Sequence, residues 1–359
     1  MKNKVFLSVL LTLLAFTVGK AQTSVLSYTP GVTTDGVVYF LPKTVLKIAV
    51  TSTRTTSHPG DFHNYAKRFL RLNNVIQEED TQWKIDNVQV VCCSEPDTSK
   101  SHIVLLKKGT SAPLCSLTDN GVLLAVNAQT SYKAEDKVNV VNKKTTEKVN
   151  SRDYLNEEIL LAGSELKMAE LTATEIYSIR ESKNELAKGE ADYMPKDGEQ
   201  LKLMLSKLEE QEFALMQLFK GYQESETRTD VFYYVPKYGV EKEIAARFSI
   251  KRGLVGNDDL GGSPIYVTVI NKNTVPHGKT ELSDKKLVDR VLYYNVPSMA
   301  DVKLSFGDRT LYNRQLPLAQ FGREEYLSED LFNKRATCHI WFNPLTGNIE
   351  RVDDSSLKK

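Results

Sequence analysis

The stretch that most constrains this chain is residues 151–222, which reads as two long helices folded back on each other. Leu155, Ile159, Ala162, Leu166, Ala169, Ala173 and Ile176 recur at alternating steps of three and four, the spacing that lines up one helix face. The stripe then drifts to Ile179, Lys183 and Leu186, which suits a straight helix better than a strict supercoil. Gly163 inside this run is expected to stay helical, at a cost of about 1 kcal/mol relative to alanine. Residues 188–198 break the pattern. Gly189 is expected to close the first helix in a left-handed conformation, and Pro195 biases Met194 towards extended backbone. Asp197, followed three residues later by Gln200, resembles a capping box that opens the second helix. Leu201, Leu205, Leu208, Leu215 and Phe219 carry its stripe, and Gly221 stops it. At 1.5 Å per residue the two arms are roughly 50 and 35 Å long. Leu160, Leu161, Leu171, Leu203, Phe213 and Met216 lie off the main stripes, so the base is expected to dock on the body. The tip, with Tyr193, Met194, Pro195, Lys196 and Asp197, is left as a candidate partner-binding surface.

Within residues 151–222, nine Lys/Arg against fifteen Asp/Glu give −6 (9 − 15), a poor surface for nucleic acid. The 359 residues open with the features of a secretory signal over residues 1–21: Lys2 and Lys4, an apolar run over 5–18, and Gly19-Lys20-Ala21 before Gln22. That run is too short for a comfortable membrane span, and no cysteine follows it to carry a lipid anchor. Removing Lys2, Lys4 and Lys20 takes the formal charge from +1 to −2 (1 − 3). No later stretch is apolar for long enough to cross a bilayer. The expectation is a soluble exported protein, in the periplasm or on an envelope surface, of open oligomeric state.

Both flanks of the helical stretch are rich in β-branched and aromatic residues. Residues 37–41 and 44–50 sit on either side of Pro42-Lys43 and read as a hairpin or a sharply bent strand. A short helix is expected over 61–72, strands over 83–93 and 102–107 with a turn at Ser94-Glu95-Pro96-Asp97, and another strand over 122–126. Residues 129–150 turn polar and read as a solvated loop. After the helices, strands are expected at 231–236, 247–251, 264–270, 291–294, 302–306, 338–342 and 349–352. Three segments echo one another: Tyr39-Phe40-Leu41-Pro42, Tyr233-Tyr234-Val235-Pro236 and Tyr293-Tyr294-Asn295-Val296-Pro297. A shared strand, proline bend and return strand explains the echo without a duplication. The fold class is α+β: a β-rich lobe with one short helix (22–150) and a sandwich-like β-rich lobe (223–359), separated by an antiparallel helical hairpin (151–222), with the alternative that the lobes share one continuous sheet and the hairpin is an insertion.

The chemistry-bearing residues form no catalytic set. His58 and His63 match no common ligand spacing, and exposed histidines at a helix start are the favoured reading. Cys92, Cys93, Cys115 and Cys338 lack a CxxC arrangement, so buried thiols or one structural disulfide are expected. There is no Gly-x-Ser-x-Gly elbow and no paired metal motif, so neither metal nor cofactor is expected. Asp258 and Asp259, in the loop Asn257-Asp258-Asp259-Leu260-Gly261-Gly262, lack the alternating ligands of a calcium loop, and a plain turn is favoured. Tyr233, Tyr234, Tyr293, Tyr294 and Trp341 are candidates to line a sugar or peptide groove, although strand packing explains them first.

Tyr39-Phe40-Leu41-Pro42-Lys43-Thr44, the Pro-Lys-Asp-Gly before the second helix, Leu203-Met204-Leu205 to Glu212, Leu218-Phe219-Lys220-Gly221 and Ala319-Gln320-Phe321-Gly322 resemble an uncharacterised family of exported Bacteroidetes proteins, domain of unknown function 4831. The likeness covers nearly all of the chain after the leader. It implies an exported envelope protein and supplies no catalytic residues. Two functions are then in view. The first is a non-enzymatic interaction or scaffold protein that offers the helical hairpin to an envelope protein partner. The alternative is a glycan- or peptide-binding or processing protein with a groove on the carboxy-terminal lobe.

Overall fold

The computed structural model describes residues 24–27, 36–105, 115–133, 138–146, 148–195, 197–281, 291–328, 332–333 and 336–354. The expected secretory signal lies outside them, as does Lys196. The strands are β1 (Ser24–Ser27), β2 (Gly36–His58), β3 (Asp80–Leu105), β4 (Cys115–Leu117), β5 (Leu123–Val126), β6 (Asn142–Thr146), β7 (Tyr222–Tyr234), β8 (Lys242–Ser249), β9 (Gly253–Val255), β10 (Ser263–Asn271), β11 (Gly278–Lys279), β12 (Val291–Phe306), β13 (Arg309–Ser328), β14 (Phe332–Asn333), β15 (Ala336–Phe342) and β16 (Ile349–Asp354). The helices are α1 (Ala66–Leu70), α2 (Glu157–Leu160), α3 (Glu165–Lys188) and α4 (Gly198–Lys220). The protein is mixed α+β and strand-rich, and no described helix is long and apolar enough to cross a membrane.

Three sheets form, in the orders β1-β3-β2-β7-β6, β11-β13-β12-β10-β8-β9 and β14-β15-β5-β4, with β16 on β15. The first two face each other. Leu46, Ile48 and Val50 alternate along β2 at the period of a strand with one buried face, and they meet Ile265, Val267 and Val269 of β10 and Val302 and Leu304 of β12. Each such aliphatic side chain removed from water contributes about 1.5–3 kcal/mol, so this interface dominates the stability. A second core joins all three sheets through Tyr39 and Leu41 of β2, Leu292 and Tyr293 of β12, Val126 of β5, and Ile340 and Phe342 of β15.

The long strands run through both cores and bend between them. β2 is one strand rather than a hairpin, and the expected turn at residues 94–97 lies inside the continuous β3. Pro42 stands opposite Pro96 in the register, with an irregularity between Phe40 and Pro42. Neither proline has an N–H to donate, so the ladder loosens at that level and the pair kinks without separating. β12 is irregular between Val296 and Ser298, at Pro297. Two of the three echoed segments are therefore bends within strands, while Pro236 follows the end of β7.

The two β-rich stretches do not form separate lobes; they share sheets, and the helical segment is an insertion. β7, which follows the helices, pairs with β2 from Leu46↔Tyr234 to His58↔Tyr222, and β15 pairs with β5 at Ile340↔Val126. Strands from both halves of the chain thus build the same sheets, and the boundaries at 150 and 223 mark only the edges of the helical segment. The polar stretch before it is no plain loop either: β6 is an exposed edge strand on β7, from Asn142↔Arg228 to Thr146↔Glu224.

In the helical segment the first arm is shorter than its apolar stripe implied. Residues Ser151–Tyr154 make a 3-10 turn and α2 ends at Leu160. Ser164 then caps α3, its hydroxyl accepting the Lys167 N–H at 3.3 Å, so Gly163 sits at a break instead of inside a helix. At 24 residues α3 is roughly 36 Å long. Gly189 closes it with φ 77°, and Asp197 caps α4 by accepting the Glu199 N–H at 3.2 Å.

The two sheets are fastened at the bend by Gln320. Its Oε1 accepts the Thr44 N–H at 2.9 Å, and its Nε2 donates to the carbonyls of Thr44 and Pro236, both at 3.0 Å. The fully buried Thr44 answers with its hydroxyl, which accepts the Ala319 N–H at 3.0 Å. Truncating this amide leaves three backbone groups without partners at a partly buried site. Gln320→Ala is therefore expected to lower the unfolding free energy by about 2–4 kcal/mol, read as the shift of a urea midpoint at unchanged slope. A change below about 0.5 kcal/mol would mean that water replaces the amide at no cost.

Candidate functional site

α3 and α4 lie side by side and are tied by charge. Arg180 Nε donates to Glu212 Oε1 at 2.6 Å, and Lys183 Nζ reaches Glu212 Oε2 at 3.1 Å. Partial burial pushes the Glu212 carboxyl up, but these two cations outweigh it and hold the group below the usual carboxylate range. The root of the pair is packed by the stripes themselves: Ala173 and Ile176 of α3 and Leu215 and Phe219 of α4 share a core with Phe62 and with Ala66 and Leu70 of α1. Residues 198–213 of α4 contain no buried side chain, whereas Ala214, Leu215, Leu218 and Phe219 are buried.

This packing leaves Phe213 and Met216 beside the buried face. Phe213 is 51% exposed. Together with Arg180, Glu209 and Lys220 they line a cleft of about 370 Å³ at the root of the pair. The Arg180 guanidinium also lies 3.6 Å from the Met216 sulfur. The cleft thus combines an aromatic and a thioether surface with fixed charges on its rim, which suits an apolar anchor side chain from another protein.

The base docks on the body through its stripe residues; of the off-stripe ones, Met216 packs against that core and Leu171 is half-buried. Leu160, Leu161, Leu203 and Phe213 are all exposed, because the small Ala169, Ala173 and Ala214 let the stripe face approach the body instead. At the tip, Tyr193 is 71% exposed, Met194 is exposed and Asp197 is spent on the α4 cap. Tip and cleft are roughly 20 Å apart along α4.

The residues singled out for a groove fall at separate places. Asp259 accepts from Arg252 Nη2 at 2.7 Å and from the Gly261 N–H at 2.9 Å, which holds its carboxyl below the usual range, and Asp258 beside it is exposed. Tyr233 is 62% exposed on β7, whereas Tyr234 packs on the first core and donates its hydroxyl to Glu243 at 2.7 Å. Tyr293 and Tyr294 belong to the second core, and Trp341 lies under the Arg351 guanidinium at 4.3 Å. Burial pushes the Cys92 and Cys115 thiols up to about 11, which suppresses the reactive thiolate.

A buried polar cluster went unmarked at the level of sequence. His102 of β3, 3% exposed, lies between the rings of Tyr39 at 5.3 Å and Tyr293 at 4.7 Å. Its Nε2 is 3.7 Å from Glu324 Oε1, while Lys279 Nζ approaches the same oxygen at 3.0 Å and stands 3.8 Å over the Tyr293 ring. Asn295, the register partner of Glu324, donates to the Pro42 carbonyl at 2.8 Å. Neither ring nitrogen of His102 has a hydrogen-bond partner among the described residues. Lys279, Tyr293 and Glu324 lie more than 170 positions away and Tyr39 meets His102 only through strand pairing, so spacing carried no signal for them.

Burial, opposed by the Glu324 charge, pushes the His102 pKa down to about 4, so the folded protein holds it neutral. Below pH 6.5 the unfolded chain takes up a proton that the folded protein refuses. Stability is therefore full above about pH 6.5 and falls by about 3 kcal/mol on acidification to pH 4. His102→Phe, which keeps the ring stack, should flatten that part of the melting-temperature profile. An unchanged acid slope would assign the loss to other groups.

No curated protein and no solved structure matches the chain. The family described as a domain of unknown function, DUF4831, matches residues 35–350. That span runs from the start of β2 into β16 and takes in the Gln320 clamp, the paired helices with their cleft and the His102 cluster, and the chain belongs to this family.

Proposed function

We propose that this is a non-enzymatic interaction or scaffold protein of the cell envelope, in which α3 and α4 act as a helical hairpin that receives a partner protein. The observation that carries the reading is the cleft at the root of that hairpin, where Phe213 is half open to water beside Met216 on a helix whose outer half is uncovered. Isolated exposed hydrophobes are ordinary, but an aromatic and a thioether lining one concavity, with Lys220 free of an ion pair among the described residues at its edge, have the character of an anchor pocket. The partner would insert one apolar side chain and set a carboxylate against Lys220. The basic and apolar leader supports export, and with it an envelope partner. Nothing favours the glycan reading equally, since its aromatic candidates lie at separate places.

The test is affinity capture of the tagged full chain from cross-linked envelopes, beside Phe213→Glu and a variant whose 189–197 link is replaced by a short loop. A charged group in the anchor pocket should cut recovery of the captured protein by about tenfold, equivalent to ~1.4 kcal/mol. Loss with the loop variant alone would move the contact to the tip. Equal recovery with all three forms would sink the reading.

A further inference from the structure

A second cleft, of about 400 Å³, lies on the other flank of the α4 terminus and shares only Gln217 and its immediate backbone surroundings with the first. One wall is the segment entering the helices, with Lys148 and Arg152. The other is the loop leaving β2, with His58 and Asp61. Between them lie the last turn of α4 and the ring of Tyr222. Both walls are bonded to the helix end: Phe62 N–H donates to the Leu218 carbonyl at 2.7 Å, and Val149 N–H donates to Gln217 Oε1 at 3.0 Å.

Two glycines make this approach possible. A Cβ on Gly60 would run into the carbonyl oxygens of Gln217 and Leu218, and one on Gly221, at φ 81°, would run into the carbonyl of His58. The walls cannot close further or swing apart without breaking these contacts, so the cleft is formed before any ligand arrives.

Charge is divided between the walls. Lys148 Nζ stands 5.3 Å over the Tyr222 ring, whose plane also stacks on His58 at 4.8 Å. Neither Lys148 nor Arg152 has a carboxylate within 4.0 Å among the described residues, and Asp61 has no cation there. The negative end of the α4 dipole lies beside Asp61, at Leu218. A simple anion would find Asp61 and the helix end repulsive, and a simple cation would meet Lys148 and Arg152.

We propose that this cleft binds a small zwitterion, a free amino acid or a short peptide with free ends, its carboxylate on Lys148 and Arg152 and its ammonium on Asp61. The volume lies within the range of small-molecule sites and exceeds what a lone ion fills.

The experiment is calorimetric titration of the full chain with the protein amino acids and a dipeptide set, beside the N-acetylated and C-amidated forms of any that bind, and with citrate and inorganic phosphate. Saturable binding of an uncapped ligand is expected, weakened about tenfold by either cap. Asp61→Asn should abolish discrimination against the acetyl cap, and Lys148→Ala with Arg152→Ala discrimination against the amide. Circular dichroism checks that each variant folds, and if one does not, the capped ligands on the unaltered protein still decide. A silent panel at about ten millimolar, equal binding of capped and uncapped forms, or tighter binding of citrate or phosphate would overturn the proposal. Phe213 takes no part in this cleft, so such a failure leaves the hairpin reading as it was.

Discussion

The amide of Gln320 does the work of a missing stretch of strand. β7 ends at Tyr234, while β2 continues past its partner towards the bend at Pro42. At Thr44 the ladder would expose a backbone N–H and C=O inside the protein. Gln320 presents an acceptor and a donor in the same arrangement as a peptide group, takes up both, and gives its second amide hydrogen to Pro236 at the point where β7 leaves. A buried backbone pair left unmade costs more than most single contacts contribute, so the bend depends on this side chain. The bend in turn lets one pair of long strands serve two cores, the aliphatic one between the first two sheets and the aromatic one where all three meet.

Much of this was legible in the sequence, and the failures share a cause. Strand positions such as 44–50, 264–270 and 302–306 announce themselves because one buried face imposes alternation. The paired helices announce themselves through their stripe and through Gly189, Asp197 and Gly221. What stayed hidden is how local signals are overridden by partners distant in the chain. Pro42 and Pro96 read as turns because proline usually interrupts a ladder, yet facing each other they fall where neither strand needs a bond. Likewise residues 142–146 read as a solvated loop by composition, and pairing with β7 alone makes them a strand.

The candidate sites were less legible than the fold. The motifs Tyr39 to Thr44 and Ala319 to Gly322 were visible as a family resemblance, and their meeting at one hydrogen-bonded junction explains them as architecture rather than chemistry. Phe213 and Met216 stood out only as residues off the stripe. Whether such residues face the body or water depends on how closely the stripe approaches, which here is decided by alanines at 169, 173 and 214. The His102 cluster lies between β3, β12, β13 and β11, and only the register of those strands brings it together.

The helical segment leaves the first sheet after β6 and re-enters it at β7, and Thr146 and Glu224 are direct register partners. The points of departure and return are thus about one strand spacing apart, close to 5 Å. Sheet closure does not require anything between them, so the sandwich can assemble while the intervening chain is still unordered, at a loop-closure cost that grows only with the logarithm of its length. The helices are then free to vary in length without disturbing the strands. Where they meet the body they shield the apolar surface of Phe62, Ala66 and Leu70.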